Sequence, residues 1–501
     1  MAKTFYITTP IFYPNAKLHM GHAYAVTLTD ILARYHRLNG EETYFLTGSD
    51  ENTAKILKNL DGKSTETYLE DLSLNFKDLY KKLSISYDQF IRTTDKEKHW
   101  PGAIEMWKRL VEAGDIEKKK YTGLYCIGCE TFYMEKDLID NNCPIHKTVP
   151  EKVEEENYFF KLSKYTADIK QKIKNGELSI IPEGRKNEIL ALLGRGLEDV
   201  SFSRPKEKVP HGIPVPGDPE QVIYVWCDAL VNYISALGYG RNNSPQTPLL
   251  QSREGLPETS LVVREVETNS PSELFDKFWP ADVHVIGKDI LRFHAAIWPA
   301  MLLSAGLPLP KNILVHGMIT SGGVKMSKSL GNVIDPDELI KEYGSEAVRY
   351  YLARHISPFE DGDLTLESFK EVYNAHLANG LGNLVSRILT LSEKYLEKCP
   401  DIPEKSDFME YFKYYENFEI NKAVDYVWNE ISELDKYIQE TEPFKVIKTD
   451  EEKGKKLISS MVLRLYRIAR MLNPIMPETN VLLKKLIKEN KAPEAPLFAR
   501  K

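Results

Sequence analysis

Pro10-Ile11-Phe12-Tyr13-Pro14-Asn15-Ala16-Lys17-Leu18-His19-Met20-Gly21-His22 is the stretch whose reading decides the fold. Ahead of it, Phe5-Tyr6-Ile7-Thr8 reads as a strand, and behind it Ala23 to Tyr35 has helical period. His19 and His22 therefore flank Gly21 at the mouth of a strand-to-helix turn. A helix N-terminus presents unpaired N–H groups and the positive end of its dipole, which suits phosphate. Gly21 lets a flat ring or a phosphate approach the backbone. The two imidazoles add donors that can follow charge developing on a phosphoryl group. Taken alone, the stretch is also compatible with a turn that carries two surface histidines.

Working outward, Glu42-Thr43-Tyr44-Phe45-Leu46-Thr47-Gly48-Ser49-Asp50 reads as a buried parallel strand. Strand, helix, strand is a βαβ unit, and ligands bind at the carboxyl ends of its strands. Asp50 lies at such an end, where it either holds the ammonium group of a small molecule or caps the following helix. Far downstream, Lys325-Met326-Ser327-Lys328-Ser329 follows Gly322, Gly323 and Val324. By itself that is a solvated loop with two ammonium groups.

Together the two stretches resemble the HIGH and KMSKS signatures of class I aminoacyl-tRNA synthetases. His19-Met20-Gly21-His22 has Met in the second place; the lysine loop is an unaltered match. The resemblance implies a Rossmann-like parallel sheet whose catalytic groups are His19, His22, Lys325 and Lys328. The lysines would close over the triphosphate of ATP, accompanied by Mg²⁺, and stabilise the crowded phosphorus centre more than ground-state ATP. The amino-acid carboxylate is the nucleophile, so adenylation needs no nucleophile or base from the protein.

Composition bounds the rest. At 501 residues, with 42% apolar content, the chain is long enough for several domains with real cores. A net charge of −7 excludes a globally basic nucleic-acid binder, so an RNA partner needs local basic patches. Met1-Ala2-Lys3-Thr4 enters a strand with no apolar leader, and Ala295 to Leu309 is too short and too proline-broken to span a bilayer. The 5 cysteines make no disulfide framework. A cytoplasmic protein with no membrane partner is expected.

Residues 54–118 read as mostly helical. Then Cys126-Ile127-Gly128-Cys129 and Cys143-Pro144-Ile145-His146 make two knuckles, each with two residues between ligands. That spacing suits a tetrahedral Cys₃His zinc site, and thiolates favour Zn²⁺. With no ligand position left open, the zinc is structural. The surrounding insert, about 119–220, interrupts the α/β domain. It resembles the zinc-bearing connective peptide of methionyl-tRNA synthetases and is too short for the editing domain of the isoleucyl, valyl and leucyl enzymes.

Gln221 to Leu230 reads as a strand that resumes the sheet and runs into a helix carrying Tyr233. Its Tyr224-Val225-Trp226-Cys227-Asp228-Ala229 resembles the methionyl branch, as does Gly287-Lys288-Asp289-Ile290 followed by Phe293-His294. Without the resemblance, Trp226, Tyr233 and His294 read as core and Asp289 as a helix cap. With it, Trp226 and Tyr233 wall a methionine pocket, where a soft thioether packs well on aromatic edges. His294 lines that pocket with Phe293 in support, Tyr13 and Ile11 border it, and Asp50 serves the ammonium group. Gly21, His22, Gly287, Asp289 and Lys328 would bind ATP, Asp289 beside the ribose. Where the family reads Gly-x-Asp-Glu-His-Gly, this chain has Gly48-Ser49-Asp50-Glu51-Asn52-Thr53, so the carboxylate is kept while Asn and Thr replace His and Gly. Residues 241–278 read as a surface insertion, with Leu261-Val262-Val263 as a short edge strand.

Asp335 to Ile340 and Gly344 to Leu352 resemble the family's stem-contact segment. Beyond Leu366, helical periods over 368–397, 408–441, 452–472 and 478–490 predict an all-α bundle. Asn383 and Arg387 share a helix face, and the resemblance makes them anticodon readers. Phe444, after Pro443, replaces the family's Trp and can still stack on an unpaired base. The expected division is 1–118 and 221–310 for the two halves of the catalytic domain, 119–220 for the connective peptide, 311–365 for the stem contact and 366–501 for the anticodon-binding bundle. The implied partners are L-methionine, ATP and tRNA(Met), initiator and elongator, with a monomer expected. Three alternatives stay open. A cysteinyl or isoleucyl/leucyl/valyl enzyme is opposed by Trp226, Tyr233 and His294. A small HxGH nucleotidyltransferase would lack the knuckles and the helical tail. A non-catalytic tRNA-binding relative is expected to have lost Lys328 or His22.

Overall fold

The computed structural model describes the chain apart from residues 1–2, 14–17, 54–55, 57–59, 61, 127–130, 134, 136–137, 145–146, 242–270, 327–331 and 404–407. Its centre is a six-stranded sheet: β1 (Thr4–Phe12), β2 (Glu42–Ser49), β3 (Gln89–Arg92), β4 (Ser179–Ile181), β5 (Val283–Gly287) and β6 (Asn312–His316). All pairings are parallel and the order is β3-β2-β1-β5-β6-β4. Strand residues alternate between two cores, as a period of two demands. Ile7, Phe45, Val285 and Leu314 face one, while Tyr6, Leu46, Ile286 and Val315 face the other. The first core runs on through helix α1 (Met20–Leu38) into the C-terminal bundle, from Met20 and Ile31 to Leu377 and Leu465. The chain leaves β1 toward β2 on one side, and β5 joins on the other, with Ile7 opposite Val283. A parallel sheet opens a crevice at such a switch point, outside the carboxyl ends of the strands.

Several expectations need correction. Residues 221–230 do not resume the parallel sheet. Asp218–Ile223 pairs antiparallel with Pro214–Val215 and Ser203–Pro205. Gly217, at φ 86, turns the chain back on itself and gives this strand a partner a few residues away, at less entropic cost than a distant one. Trp226 accordingly lies in a helix, Val225–Leu230. The region 119–220 is not wholly an excursion, because Ser179–Ile181 pairs with β6 as the sheet edge. The stretch 54–118 contains β3, too short to leave a pattern in sequence. The end of the 241–278 insertion is a helix, Pro271–Phe278, whose Phe278 packs 5.2 Å from Tyr44 and is 5% exposed. Leu261 to Val263 lie outside the described residues.

Toward the C-terminus, Asn383–Tyr395, Ile420–Thr441, Glu451–Met471 and Pro477–Glu489 form the main helices of the bundle. The segment expected at 408–441 is two helices, parted near Phe418, whose φ is 60. The bundle is locked to the α/β part by Arg349, which is fully buried. Its guanidinium pairs with Asp30 of α1 at 2.7 Å and donates to the carbonyls of Leu83, Pro474 and Ile475. Among the described residues, no helix is long and apolar enough to cross a membrane.

Candidate active site

The turn that ends β1 and starts α1 closes on itself. His19 is the N-cap: the Gly21 N–H donates to its Nδ1 at 3.1 Å, and its own N–H donates to His22 Nδ1 at 3.2 Å. This reciprocal pattern satisfies two of the helix's orphan donors. It also fixes the tautomers, because a ring nitrogen that accepts cannot carry the proton. Each ring, when neutral, must hold its proton on Nε2. Burial first, and the neighbouring His19 second, push the His22 imidazole well below its ordinary pKa, so it is a neutral donor near pH 7. The rings lie 4.0 Å apart between centroids, and Phe12 meets His22 edge-on at 4.7 Å. Gly21 is required by the His19 ring itself: a Cβ there would stand 2.9 Å from His19 Cε1.

Beside this turn, aromatic residues form a packed cluster. Trp226 stacks on Phe293 at 3.4 Å with the planes 8° apart. Tyr13 and Ile290 pack against the same cluster. The Tyr233 hydroxyl lies 2.7 Å from His294 Nε2, while His294 Nδ1 donates to the Ile290 carbonyl at 3.0 Å. A carbonyl only accepts, so Nδ1 bears the proton, Nε2 accepts, and the Tyr233 O–H is spent on it. Burial lowers the His294 pKa to about 4 and raises that of Tyr233, keeping both neutral. Ile11, next to last in β1, packs against the second core. Asp50 is 3% exposed at the end of β2, with its N–H bonded to the Phe12 carbonyl at 2.9 Å. Among the described residues, the α-helix Thr65–Lys82 that follows is capped by Ser64.

Across the switch point, β5 ends at Gly287 and a single 3₁₀ turn, Lys288–Ile290, carries the exposed Asp289. The Asp289 carboxylate folds over Gly287, where a Cβ would meet Oδ1 at 2.6 Å. β6 ends at His316 and leads into a hairpin, Ile319–Ser321 with Val324–Lys325. The lysine loop thus leaves the same end of the same sheet as the histidine turn. Lys328 and the side chain of Lys325 lie outside the described residues.

Two histidines escaped the sequence reading. His284, in the middle of β5, accepts from Trp298 Nε1 at 3.3 Å and meets Thr8 Oγ1 at 2.8 Å, with its ring 4.2 Å from Tyr233. It ties Tyr233 to Thr8 of β1 and to Trp298. His316 packs edge-on against Tyr24 at 5.3 Å and feels the Asp289 charge. The available signal was a histidine inside an apolar strand and another at a strand's carboxyl end.

Of the zinc knuckles, Cys126 and Cys143 are buried, while Cys129 and His146 lie outside the described residues. Cys143 heads a tight turn: its N–H donates to Thr148 and its carbonyl accepts from Lys147 at 2.8 Å. Among the described residues, no group of three or more His, Cys, Asp or Glu is placed to hold a metal. In the bundle, Asn383 and Arg387 are exposed on one helix, and Arg387 pairs with Asp435 at 2.5 Å. Asp435 lies on the helix that leads to Pro443 and Phe444, the latter 41% exposed.

The chain matches the family model for tRNA synthetases class I (M) over residues 5–144 and 133–389. It is 41% identical over 497 residues to the methionine--tRNA ligase of Thermotoga maritima, covering 95% of this chain and 74% of that protein. It is 40% identical to that of Clostridium acetobutylicum, covering 96% and 73%. Among solved structures, Mycobacterium tuberculosis methionyl-tRNA synthetase in complex with methionyl-adenylate superposes with a TM-score of 0.87 at 32% identity, covering 99% of this chain and 100% of that one. The apo form of the M. tuberculosis protein superposes with a TM-score of 0.81 at 30% identity. With the signature turn capped at the switch point and an aromatic cluster beside it, this chain belongs to the class I (M) tRNA synthetases, the methionine--tRNA ligase family.

Proposed function

We propose that the chain joins L-methionine to ATP, forming methionyl-adenylate and pyrophosphate, and passes the methionyl group to the terminal ribose hydroxyl of tRNA(Met). What supports this is the closed His19/His22 turn at the carboxyl end of β1, with the Tyr13/Trp226/Phe293 cluster next to it in the chain's fold and the lysine hairpin leaving the same end of the sheet, in a chain of this family.

The turn's two Nε2–H groups and the positive end of the α1 dipole would serve the phosphates. Because the cap fixes both rings before ATP arrives, they stabilise the developing charge without reorganising. Lys325 and Lys328 would close from the other side, and Asp289 would accept from the ribose hydroxyls. The methionine side chain would lie against Trp226, Phe293 and Tyr233, with Tyr13 and Ile11 at the rim and Asp50 toward its ammonium group. The Tyr233 O–H is spent on His294, so it would not serve a polar side chain, which would lose its water without compensation there. Mg²⁺ accompanies the ATP phosphates as part of the substrate.

Cys126, Cys129, Cys143 and His146 would hold one structural Zn²⁺. Three thiols and an imidazole suit that ion, and burial of the two described thiols fits a closed site. Asn383, Arg387 and Phe444 would read the anticodon, and the whole would work as a monomer in the cytoplasm. The test is pyrophosphate exchange measured with each of the common amino acids. Exchange with methionine is expected; exchange with leucine or cysteine and none with methionine would overturn the specificity, and no exchange with any would overturn the enzyme.

A further inference from the structure

We propose that Asn52, His99, Asp228 and Ser235 are positioning residues that hold the walls of the methionine site in register through one buried hydrogen-bonded network. The proposal rests on the methionine reading of the pocket given above.

All four side chains are essentially inaccessible: His99, Asp228 and Ser235 at 0% and Asn52 at 2%. Asp228 is at the centre. One carboxylate oxygen lies 2.5 Å from His99 Nε2, and the other accepts from Asn52 Nδ2 at 2.7 Å. The far nitrogen of His99 lies 2.8 Å from Ser235 Oγ. Asn52 Nδ2 also donates to the Thr93 carbonyl at 3.0 Å, and the Glu51 N–H donates to Thr93 Oγ1 at 2.8 Å. Both partners of Nδ2 are pure acceptors, so the amide has one orientation.

The spacing gives this network its purpose. Asn52 stands two residues from Asp50, Asp228 two from Trp226, and Ser235 two from Tyr233. Those three pocket residues come from the loop after β2 and from two short helices, Val225–Leu230 and Asn232–Ser235. Such short helices cannot hold a geometry by their own hydrogen bonds. The network ties both to the carboxyl ends of β2 and β3, and His99 brings in the helix Trp100–Glu112. That helix is pressed against Ser235 through Gly102, where a Cβ would stand 2.6 Å from the Ser235 Cβ. The tie also explains a departure in the sequence. Asn52 occupies the place of a histidine in the family's Gly-x-Asp-Glu-His-Gly pattern, and it supplies an N–H donor where an imidazole would supply one.

The test compares Asn52→Ala, Asn52→His and Ser235→Ala with the unaltered full-length protein. The readouts are the KM values for methionine and ATP in pyrophosphate exchange, the thermal midpoint, and quenching of tryptophan fluorescence by methionine. Asn52→Ala is expected to raise the methionine KM by about tenfold or more, the size of one lost hydrogen bond to a buried charged acceptor. The ATP KM should stay within about twofold, Ser235→Ala should shift methionine in the same direction, and Asn52→His should restore most of the loss. A methionine KM unmoved by Asn52→Ala, or KM values for both substrates rising together with a fall in the midpoint, would overturn the proposal. Absence of methionine exchange in the unaltered protein would instead remove the function beneath it.

Discussion

At the scale of residues, chemistry depends on which nitrogen carries the proton. His19 and His22 cap their own helix through Nδ1 and thereby keep their protons on Nε2. His22→Ala is expected to lower the exchange kcat by about two orders of magnitude, as loss of one preorganised donor does elsewhere, while methionine-dependent fluorescence quenching is retained. Gly21→Ala tests the same point more gently. Its Cβ meets the end of a movable side chain, so the ring should swing away, exchange should fall, and the thermal midpoint should hardly change. His294 gives a pH dependence. Its pKa is pushed down to about 4 by burial, against about 6.5 for a free imidazole. The unfolded chain therefore binds more protons between those values. The stability gained by keeping His294 neutral is full above about pH 6.5 and is lost as the pH falls toward about 4. His22, His284 and His316 are shifted in the same direction. A plot of thermal midpoint against pH should consequently slope less steeply in His294→Gln than in the natural protein over that window.

At the scale of elements, α1 does two jobs. Its first turn carries the histidine pair, and two turns further on Asp30 meets Arg349 and Arg34. Burial alone would raise the Asp30 carboxyl, but Arg34, Arg349 and the Ser86 donors outweigh it and hold it at about 2. Arg349 spends its other donors on carbonyls of Leu83, Pro474 and Ile475, so one side chain fastens α1, the helix Ser345–His355 and the last turn of the bundle. Removing one partner of a buried pair strands the other. Arg349→Ala is expected to cost about 3–5 kcal/mol in denaturant unfolding. The exchange KM values of the fraction that remains folded should shift little, because the partners of Arg349 (Asp30, Leu83, Pro474 and Ile475) are not among the residues proposed to bind substrate.

At the scale of the whole molecule, the two half-reactions draw on different regions. On the proposed reading, activation takes place in the crevice at the end of the parallel sheet, whereas charging also uses the bundle. Arg387 is already oriented by Asp435 at the foot of the helix that delivers Phe444. Phe444→Ala is expected to raise the KM for tRNA by roughly tenfold to a hundredfold, the worth of stacking on one base, with exchange unchanged. Phe444→Trp should lower that KM below the natural value, since the indole adds area and a donor. Steady-state charging assayed beside exchange on the same preparations separates the two regions.

Much of this was legible in one dimension. The histidine turn, the strands β1, β2 and β5 and the helical tail each announce themselves through local pattern, because a strand-to-helix turn, a buried run and a helical stripe are fixed by neighbours in sequence. Asp228 and Asn52 stood in the motifs without a role, and His99 and Ser235 carried no mark at all. Each is an ordinary polar residue until three separate segments bring it to one buried point, where its worth depends on partners far away in the chain. The same holds for Trp226, which reads as a strand residue and lies in a helix because Gly217 offered the preceding strand a nearer partner. Sequence determined the repertoire of elements and the chemical groups, since propensity and periodicity act over a few residues. Tertiary structure alone decided which of those groups meet and which tautomers they adopt, because burial and hydrogen-bond satisfaction are properties of the packed whole.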